Sequence, residues 1–333
     1  MRVLSEHPNE SVPQATQAAS ESQSVYRFWS NKRIRAGQIL DSHRPSVLKR
    51  ISDQSVVLAI QDTTDLDFSS LKQTTGLGFF CQTNQQGIKV HSCLAVSGEG
   101  EPLGLLHQYT WSRKERAGKR GQRRQKPTRE KESQRWLDTL TAAEVGVDDA
   151  VCLIHVGDRE ADIYDLFVQP RRVSSELLIR AEHNRKVDGE LGYLIPTLEQ
   201  APILGHLSLE VQRNPKRPAR QATLSIRAIS VTIAVPRNGQ HPKTAQPVPM
   251  NALLVSEEAP VDGGEPIRWL LLTTLPIETF EQACQCVRWY SLRWLIERFH
   301  FTLKSGCRIE QLQLETAQRL LNRWPLTRLW LGG

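Results

Sequence analysis

Apolar and polar residues alternate with different periods in successive parts of the chain. Between residues 51 and 183, three apolar strand patterns precede a helical pattern, a fourth strand, a short helix and a fifth strand. This order predicts an α/β sheet of mixed direction. The strand patterns are VVLAI, GIKVHSCLAVS, EPLGLLHQYTW, AVCLIHVGD and SELLIRAEH. The fourth pattern is apolar throughout, so we expect it near the centre of the sheet.

Helical and strand patterns also occur outside this succession of strands. Helices are predicted at residues 26–29, 39–50 and 130–143. In the third helix, Trp136, Leu140 and Ala143 share one face. After residue 184 the pattern changes to short alternating strands separated by turns rich in Pro, Gly and Asn. An all-β insertion is therefore predicted for residues 184–275.

The last helical pattern carries a row of polar residues. This helix is predicted to begin at Thr279, which forms a capping box with Gln282, and to end at residues 305–306. Four polar residues lie within an arc of about 60°: Tyr290, Arg293, Glu297 and Lys304. The opposite arc is apolar and is expected to face a core: Leu292, Leu295, Ile296, Phe299 and Leu303. The alternative for the polar row is a solvated face with an Arg293–Glu297 ion pair.

Two aspartates directly follow predicted strands. Asp62 comes after the first strand and Asp158 after the fourth, so both are expected at the sheet edge where open α/β sheets bind ligands. If the helix carrying Glu297 crosses that edge, three carboxylates converge. Hard oxygen ligands suit Mg²⁺ or Mn²⁺, and two such ions support in-line phosphoryl transfer. Taken singly, each Asp is more typical of a turn or a helix cap.

Positive charge is concentrated in one segment. Residues 113–135 contain eleven Lys or Arg and three Glu, whereas the whole chain has a net charge of +7. The remainder of the chain is therefore close to neutral. The segment is interpreted either as a solvated loop or as a polyphosphate contact that works through counterion release.

Cysteine spacing and hydropathy exclude other classes of protein. The six cysteines lack the paired spacing of zinc sites, so reduced packing cysteines are predicted. A metal cluster of Cys284, Cys286, His300 and Cys307 is the alternative, but the first two lie on different sides of a helix. The chain has no apolar run as long as a membrane span and no apolar signal-peptide core, which predicts a cytoplasmic protein.

Three stretches together resemble a known family. QDTTDL, GDREADIYDLF and YSLRWLIERFHFTLKSGCRIEQLQLE are similar to motifs of the DDE transposases of the insertion-sequence-four family, and the resemblance covers nearly the whole chain. It implies a ribonuclease-H-like fold with a β insertion between the second Asp and the Glu. It also implies that Asp62, Asp158 and Glu297 are catalytic and bind two Mg²⁺ ions, for which Mn²⁺ can substitute.

The implied reaction is cut-and-paste transposition of double-stranded DNA. One strand is nicked at each transposon end, a hairpin forms and reopens, and the freed 3′-hydroxyl attacks target DNA. The resemblance implies DNA contacts for Tyr290, Arg293 and Lys304. It further implies a place near the active site for Arg180 and a base-stacking role for Trp269. Without the resemblance, Arg180 is typical of a strand surface and Trp269 of a core.

The second motif contains further polar residues, Arg159, Glu160 and Asp162, whose expected role is to orient Asp158. The resemblance divides the chain into five parts: 1–50 as a remnant of the N-terminal DNA-binding domain and linker, 51–183 as the first part of the catalytic core, 184–275 as the insertion, 276–322 as the last part of the core, and 323–333 as an aberrant tail.

Both ends are expected to be short relative to the family. Intact members act as homodimers, and the expected loss of the C-terminal dimerisation region leaves dimerisation of this chain open. Two alternatives to an active transposase therefore remain. One is a catalytically idle DNA-binding or inhibitory relic, and the other is a metal-dependent nuclease of the same fold without strand transfer.

Overall fold

A computed structural model of the protein describes residues 4, 6–7, 10–16, 18–31, 33–80, 85–113, 126–211, 219–237, 241–258 and 266–329. The strands are β1 Val56–Asp67, β2 Gly78–Phe79, β3 Gln86–Ser97, β4 Pro102–Trp111, β5 Cys152–Gly157, β6 Ser175–Arg180, β7 Ile203–Val211, β8 Arg220–Ile233, β9 Val248–Glu257 and β10 Arg268–Thr273. The helices are α1 Val12–Thr16, α2 Ala19–Ser30, α3 Ala36–Ile51, α4 Gln134–Glu144, α5 Tyr164–Phe167, α6 Leu194–Gln200, α7 Phe280–Ser291, α8 Trp294–Phe301 and α9 Ala317–Leu329.

The strands form a ten-stranded mixed sheet with helices packed against it. Strand β1 pairs with β3 in antiparallel direction and with β5 in parallel direction. Strand β4 extends the sheet beyond β3, and β6 lies parallel to β5 on the other side. The predicted mixed α/β sheet is thus confirmed, and its arrangement is consistent with a ribonuclease-H-like fold.

The strands predicted in the insertion continue the same sheet. Strand β10 pairs with β6, and β9, β8 and β7 follow outward, each antiparallel to its neighbour. The insertion is therefore joined to the core by backbone hydrogen bonds between β6 and β10. Because β10 is the last strand of the insertion and precedes α7, this pairing also fixes where the last helices leave the sheet.

Strand β1 is longer than predicted. We expected it to end at Ile60, with Asp62 just beyond its carboxyl end, but it continues to Asp67 because β3 pairs with it as far as Gly87. Its pairing with β5, in contrast, stops at Ile60 and Val156. The prediction that Asp62 follows the end of its strand is therefore wrong, although Asp62 does lie where β1 loses its parallel neighbour.

The last predicted helix is broken into three pieces. Helix α7 begins with the predicted capping box, in which Gln282 N donates to Thr279 Oγ1 at 3.3 Å and Thr279 N donates to Gln282 Oε1 at 3.1 Å. At the break, Arg293 N donates to Tyr290 O at 3.0 Å, a tighter turn than the α-helical pattern. A π-helical turn, Thr302–Gly306, then follows α8.

The break changes the direction of the polar row. We expected all four of its members on one solvated face, but Tyr290 is buried, with 3% of its surface exposed. The apolar arc does face a core as predicted, because Ile296 and Leu303 are fully buried. The two half-helices therefore place Tyr290 and Glu297 at different depths.

Apolar side chains fill both faces of the central strands. On one face Leu58 and Val156 pack with Val287 of α7 and Ile296 of α8. On the other face the predicted residues of α4, Trp136, Leu140 and Ala143, are all buried. Helix α4 therefore covers the sheet face opposite α7 and α8.

The cysteines of the alternative metal cluster lie in apolar surroundings. Cys284, Cys286 and Cys307 are buried, the first two among the apolar side chains under α7. His300 Nε2 instead contacts Ser92 Oγ at 3.1 Å. In the part of the chain that the structure describes, no group of three His, Cys, Asp or Glu side chains could hold a metal ion, so this alternative is wrong.

The N-terminal helices pack against the last helix. Trp29 of α2 is fully buried, the Arg323 guanidinium lies 5.1 Å from its ring centroid, and Asn322 Nδ2 donates to its backbone carbonyl at 2.9 Å. Residues 323–333, expected as an aberrant tail, are helical as far as Leu329 and include Pro325. Within the described ranges, no helix has the length and apolar character needed to cross a bilayer.

Candidate active site

Asp62 is positioned by the end of the β1–β5 ladder. It lies two residues beyond Ile60, the last residue of β1 that pairs with β5, and it faces Ser92 of β3 on its other side. Its side chain is 18% exposed. Because β5 does not pair with β1 at this level, space remains on that side for another group. On the other side, β3 holds the backbone of Asp62 in place.

The surroundings of Asp62 oppose its negative charge. Burial, followed by the charge of Asp158, raises the pKa of Asp62 to about 7. Arg293 and the backbone N–H of Thr63, which donates to Asp62 Oδ1 at 2.7 Å, act in the opposite direction, and Glu297 adds to the rise. Asp158 and Glu297 thus both lie within electrostatic range of Asp62, and Asp158 has the larger effect on it.

Asp158 follows β5 directly, as predicted, and caps the 3₁₀ helix Arg159–Ala161. Its Oδ1 accepts a hydrogen bond from the backbone N–H of Glu160 at 2.9 Å. Farther along the motif, Asp162 is buried and accepts from Arg185 Nε at 2.6 Å. The motif GDREADIYDLF therefore orients Asp158 through its own backbone. Its contact between Asp162 and Arg185 joins it to the segment after β6.

Glu297 is bound to Arg293 on the surface of the broken helix. The Glu297 side chain is 55% exposed and forms an ion pair with Arg293 Nη2. Arg293 Nη1 lies 4.0 Å from Asp62 Oδ2, so the guanidinium stands between two of the acids. Burial acts to lower the pKa of Arg293, but Tyr290, Glu297 and Asp62 together raise it above its ordinary value.

Tyr290 lies at the centre of the remaining predicted residues. Burial raises the pKa of its phenol, Arg293 and Arg180 act to lower it, and Asp158 acts to raise it. Trp269 of β10 packs edge-on against the same ring, with centroids 5.1 Å apart and planes at 69°. The structure therefore brings Arg180, Trp269, Tyr290 and Arg293 together beside the aspartates.

Lys304 lies apart from this group. Its Nζ is 3.8 Å from Glu310 Oε1, which also accepts from the backbone N–H of Asp67 at 2.8 Å. Asp67 is five residues beyond Asp62 on β1, or roughly 16 Å at about 3.3 Å per residue. The expected single row of polar side chains is therefore wrong for Lys304, because the π-helical turn directs it to the far end of β1.

The three acids do not form a closed cluster in this conformation. No set of three acidic, His or Cys side chains among the described residues is close enough to hold a metal ion. The aspartates nevertheless oppose each other as like charges in a mostly buried place, an arrangement that a divalent cation stabilises. Carboxylate oxygens are also the ligands that Mg²⁺ prefers. The aspartates therefore fit such an ion, whereas Glu297 is paired with Arg293.

Sequence reasoning missed Arg135. This residue donates from Nε to Thr63 Oγ1 at 3.0 Å and forms an ion pair with Glu160, so it contacts the neighbours of both aspartates. It stands at the end of the basic segment, where its charge could not be distinguished from those of its neighbours. Its position at the start of α4, beside Trp136, was the one available signal.

The described ends of the basic segment are not freely solvated. Arg113 forms an ion pair with Glu132, and Trp111 Nε1 donates to the same carboxylate at 3.1 Å. Arg135 is buried at the other end, with 9% of its side chain exposed. Residues 114–125, which carry much of the predicted charge, lie outside the described residues. The choice between solvated loop and phosphate contact stays a prediction for that part.

The fold and these contacts define an α/β protein, consistent with a ribonuclease-H-like fold, that carries interacting aspartates beside its central strand. Residues 1–34 match the protein-family model described as Transposase DNA-binding. This match indicates a transposase family and makes DNA the indicated partner. It falls within the segment that the sequence motifs assigned to DNA binding.

Proposed function

We propose that this chain is a DDE-type DNA transposase of the insertion-sequence-four family that catalyses cut-and-paste transposition in the cytoplasm. The observation that carries the proposal is the pairing of Asp62 with Asp158, whose mutual repulsion contributes to a pKa of about 7 for Asp62. The match of residues 1–34 to a transposase DNA-binding family supports DNA as the substrate. A carboxylate with a raised pKa on a central strand is typical of sites that act on a substrate.

Asp62, Asp158 and Glu297 are proposed to hold Mg²⁺, with two ions in the complete site. When bound, these ions would supply activation of the attacking oxygen and stabilisation of the leaving oxygen. The protein's own contribution is to hold the aspartates in place through the backbone N–H groups of Thr63 and Glu160. Glu297 contributes once its ion pair with Arg293 opens, which releases the guanidinium for another anion.

Arg293 is the group proposed to exchange Glu297 for a DNA phosphate. Arginine binds phosphate through paired N–H donors, and Arg180 lies close enough to the same tyrosine to share this task. Tyr290 would add a hydroxyl contact, and Trp269 would offer a ring face to an unpaired base. Lys304 is proposed to contact the backbone farther along the duplex, because it lies at the opposite end of β1.

A cleavage assay tests this proposal. Purified protein is incubated with DNA from both sides of its gene and with Mg²⁺ or Mn²⁺, and nicks, hairpins and joined products are separated on denaturing gels. We expect metal-dependent cleavage and joining in the wild type and neither in Asp62→Asn or Asp158→Asn. Metal-independent cutting, or cutting that survives both substitutions, would contradict the assigned roles.

One observation favours a second candidate function. The Arg293–Glu297 ion pair leaves the third acid away from the aspartates, as expected for a catalytically idle DNA-binding relic. Such a protein would bind end DNA and compete with an active relative, but would not cut under any metal condition. Cutting without joining would instead indicate a nuclease of the same fold. Homodimer formation on DNA, measured by light scattering, would favour the transposase over both alternatives.

A further inference from the structure

Arg135 is held rigidly beside the two aspartates. Its guanidinium carbon lies 5.5 Å from the ring centroid of Trp111 and 5.8 Å from that of Trp136, and its Nη1 donates to the backbone carbonyl of Glu132 at 2.8 Å. Aromatic rings and a buried setting fix a guanidinium in one orientation. Two of its edges are thereby directed toward the β1–β5 edge.

Those two edges contact the neighbours of Asp62 and Asp158. Arg135 Nε donates to Thr63 Oγ1 at 3.0 Å, and Nη2 forms an ion pair with Glu160. Thr63 and Glu160 are the residues whose backbone N–H groups donate to Asp62 Oδ1 at 2.7 Å and Asp158 Oδ1 at 2.9 Å. One planar cation therefore spans the two residues that orient the aspartates.

Arg135 links β1 to the segment after β5 at a level where the sheet has no backbone hydrogen bonds between them. Backbone pairing between β1 and β5 ends at Ile60 and Val156. At the level of the aspartates, therefore, no ladder hydrogen bond joins these two segments of the chain. Without such a bond, the distance between the segments depends on side chains. Arg135 supplies a side-chain link at this level.

Thr63 is itself held by a chain of hydrogen bonds. Thr63 Oγ1 accepts from Arg135 Nε, and in the His91 tautomer with its proton on Nε2 it donates to His91 Nδ1, 2.9 Å away. His91 Nε2 then donates to Gln61 Oε1 at 3.1 Å. Burial and the charge of Arg135 lower the pKa of His91 well below its ordinary value, which keeps this acceptor neutral. Thr63 Oγ1 is thus held between Arg135 and His91.

We propose that Arg135 is a positioning residue that sets the separation of the Asp62 and Asp158 carboxylates. The inference rests on the proposed function, because the separation matters for a metal held by both acids. Residues that orient metal ligands typically change metal affinity by about 10- to 100-fold when they are replaced. A Lys at this position could reach one of the two partners but could not donate in both directions as the planar guanidinium does.

The test is Mn²⁺ affinity of the full chain, measured by isothermal titration calorimetry and by the loss of the free-ion paramagnetic resonance signal. Arg135→Gln is expected to weaken binding by about 10-fold or more, and Arg135→Lys by less. The matched control is Arg172→Gln, because Arg172 is also mostly buried and donates to the backbone carbonyl of Val151 at 3.0 Å, beside the opposite end of β5. The control is expected to lose stability but to bind Mn²⁺ like the wild type.

Glu160→Gln sharpens the test because it removes the ion pair and retains the backbone N–H that holds Asp158. Its effect is expected to be smaller than that of Arg135→Gln and not additive with it, since both act on one link. Equal Mn²⁺ affinity in Arg135→Gln and Arg172→Gln would overturn the inference, as would full additivity. A wild type that bound no Mn²⁺ would overturn the proposed function itself, and the inference with it.

Discussion

The aspartates and Glu297 are held in different ways. Asp62 and Asp158 each accept a backbone N–H, and they lie within β1 and directly after β5, respectively. Glu297 stands on a broken helix, more than half exposed, and its described contact is an ion pair with Arg293. Under the proposed function, the aspartates form a preorganised half-site on the sheet, and Glu297 forms an adjustable half-site on the helix. Completing the site then requires that one ion pair breaks and does not require a rearrangement of the fold.

The largest expected effect comes from the fixed half. Replacing Asp62 or Asp158 with Asn is expected to reduce DNA cleavage by a factor of roughly 10³ or more, because no other group can take over their charge. DNA affinity should change little. Gel assays of cleavage and binding at matched protein concentration check this, with Glu199→Gln, a surface acid paired with Arg268, as the control. Cleavage within tenfold of wild type in Asp62→Asn would remove the fixed half from the mechanism.

The second prediction concerns stability and pH. Asp62 has a pKa of about 7 in the folded protein and an ordinary value of 3.8, so between these pH values the folded state binds more protons than the unfolded state. Its stabilising effect is therefore complete below pH 3.8 and is lost as the pH rises through about 7. Relative to Asp62→Asn, the wild type should lose about 1.4 kcal/mol for each unit of pKa difference.

Urea unfolding of both proteins at pH 5 and pH 8, without divalent ions, measures this difference. From pH 5 to pH 8, we expect the free energy of unfolding of the wild type to fall relative to that of Asp62→Asn. Adding Mg²⁺ at pH 8 should raise the free energy of unfolding of the wild type but not that of Asp62→Asn. A constant difference across this range would mean that Asp62 titrates normally and that the repulsion from Asp158 is absent.

The third prediction addresses the adjustable half. Arg293→Gln should release Glu297 and raise Mn²⁺ affinity several-fold, because a partly exposed ion pair of about 1 kcal/mol corresponds to roughly a fivefold change. DNA affinity should fall in the same variant. Calorimetry with Mn²⁺ and fluorescence anisotropy with duplex DNA give the two values. Weaker Mn²⁺ binding would instead show that Arg293 supports the acids, and the division into two halves would fail.

The smallest expected effect tests the anchor of the broken helix. Thr279→Ala removes the capping box of α7 and should cost about 0.5–1 kcal/mol, at the lower end of the usual range because the cap is exposed. Metal affinity should be unchanged, since α7 is also held by its buried face. Urea unfolding and Mn²⁺ calorimetry on the same preparation check both statements. A large loss of Mn²⁺ affinity would mean that the cap sets the position of Glu297.

Much of the fold was predictable because it follows from local pattern. The burial of Trp136, Leu140 and Ala143 follows from helical spacing, and the central position of β5 follows from its continuous apolar character. The length of β1 was not predictable in this way. Its polar second half, from Asp62 to Asp67, forms a strand because β3 pairs with it, and pairing with a distant segment has no local signature.

The candidate site was predictable as a set of residues but less so as an arrangement. Regular helical spacing placed Tyr290 and Lys304 in one row, whereas the turn at Arg293 and the π-helical turn give them different surroundings. Arg135 could not be found from charge, because its sequence segment contains many cations and its contacts with Thr63 and Glu160 arise from the tertiary fold. Residue type thus indicated chemistry, and chain geometry determined which residues act together.

The central claim is that Asp62, Asp158 and Glu297 share divalent metal. Anomalous diffraction from crystals of the full chain soaked in Mn²⁺ tests it directly, because the ions and the Glu297 side chain are seen together. We predict Mn²⁺ between the two aspartates, with Glu297 turned away from Arg293 to join them. Crystals without Mn²⁺ at the aspartates, or with Mn²⁺ there and Glu297 still bound to Arg293 when DNA is present, would contradict the account.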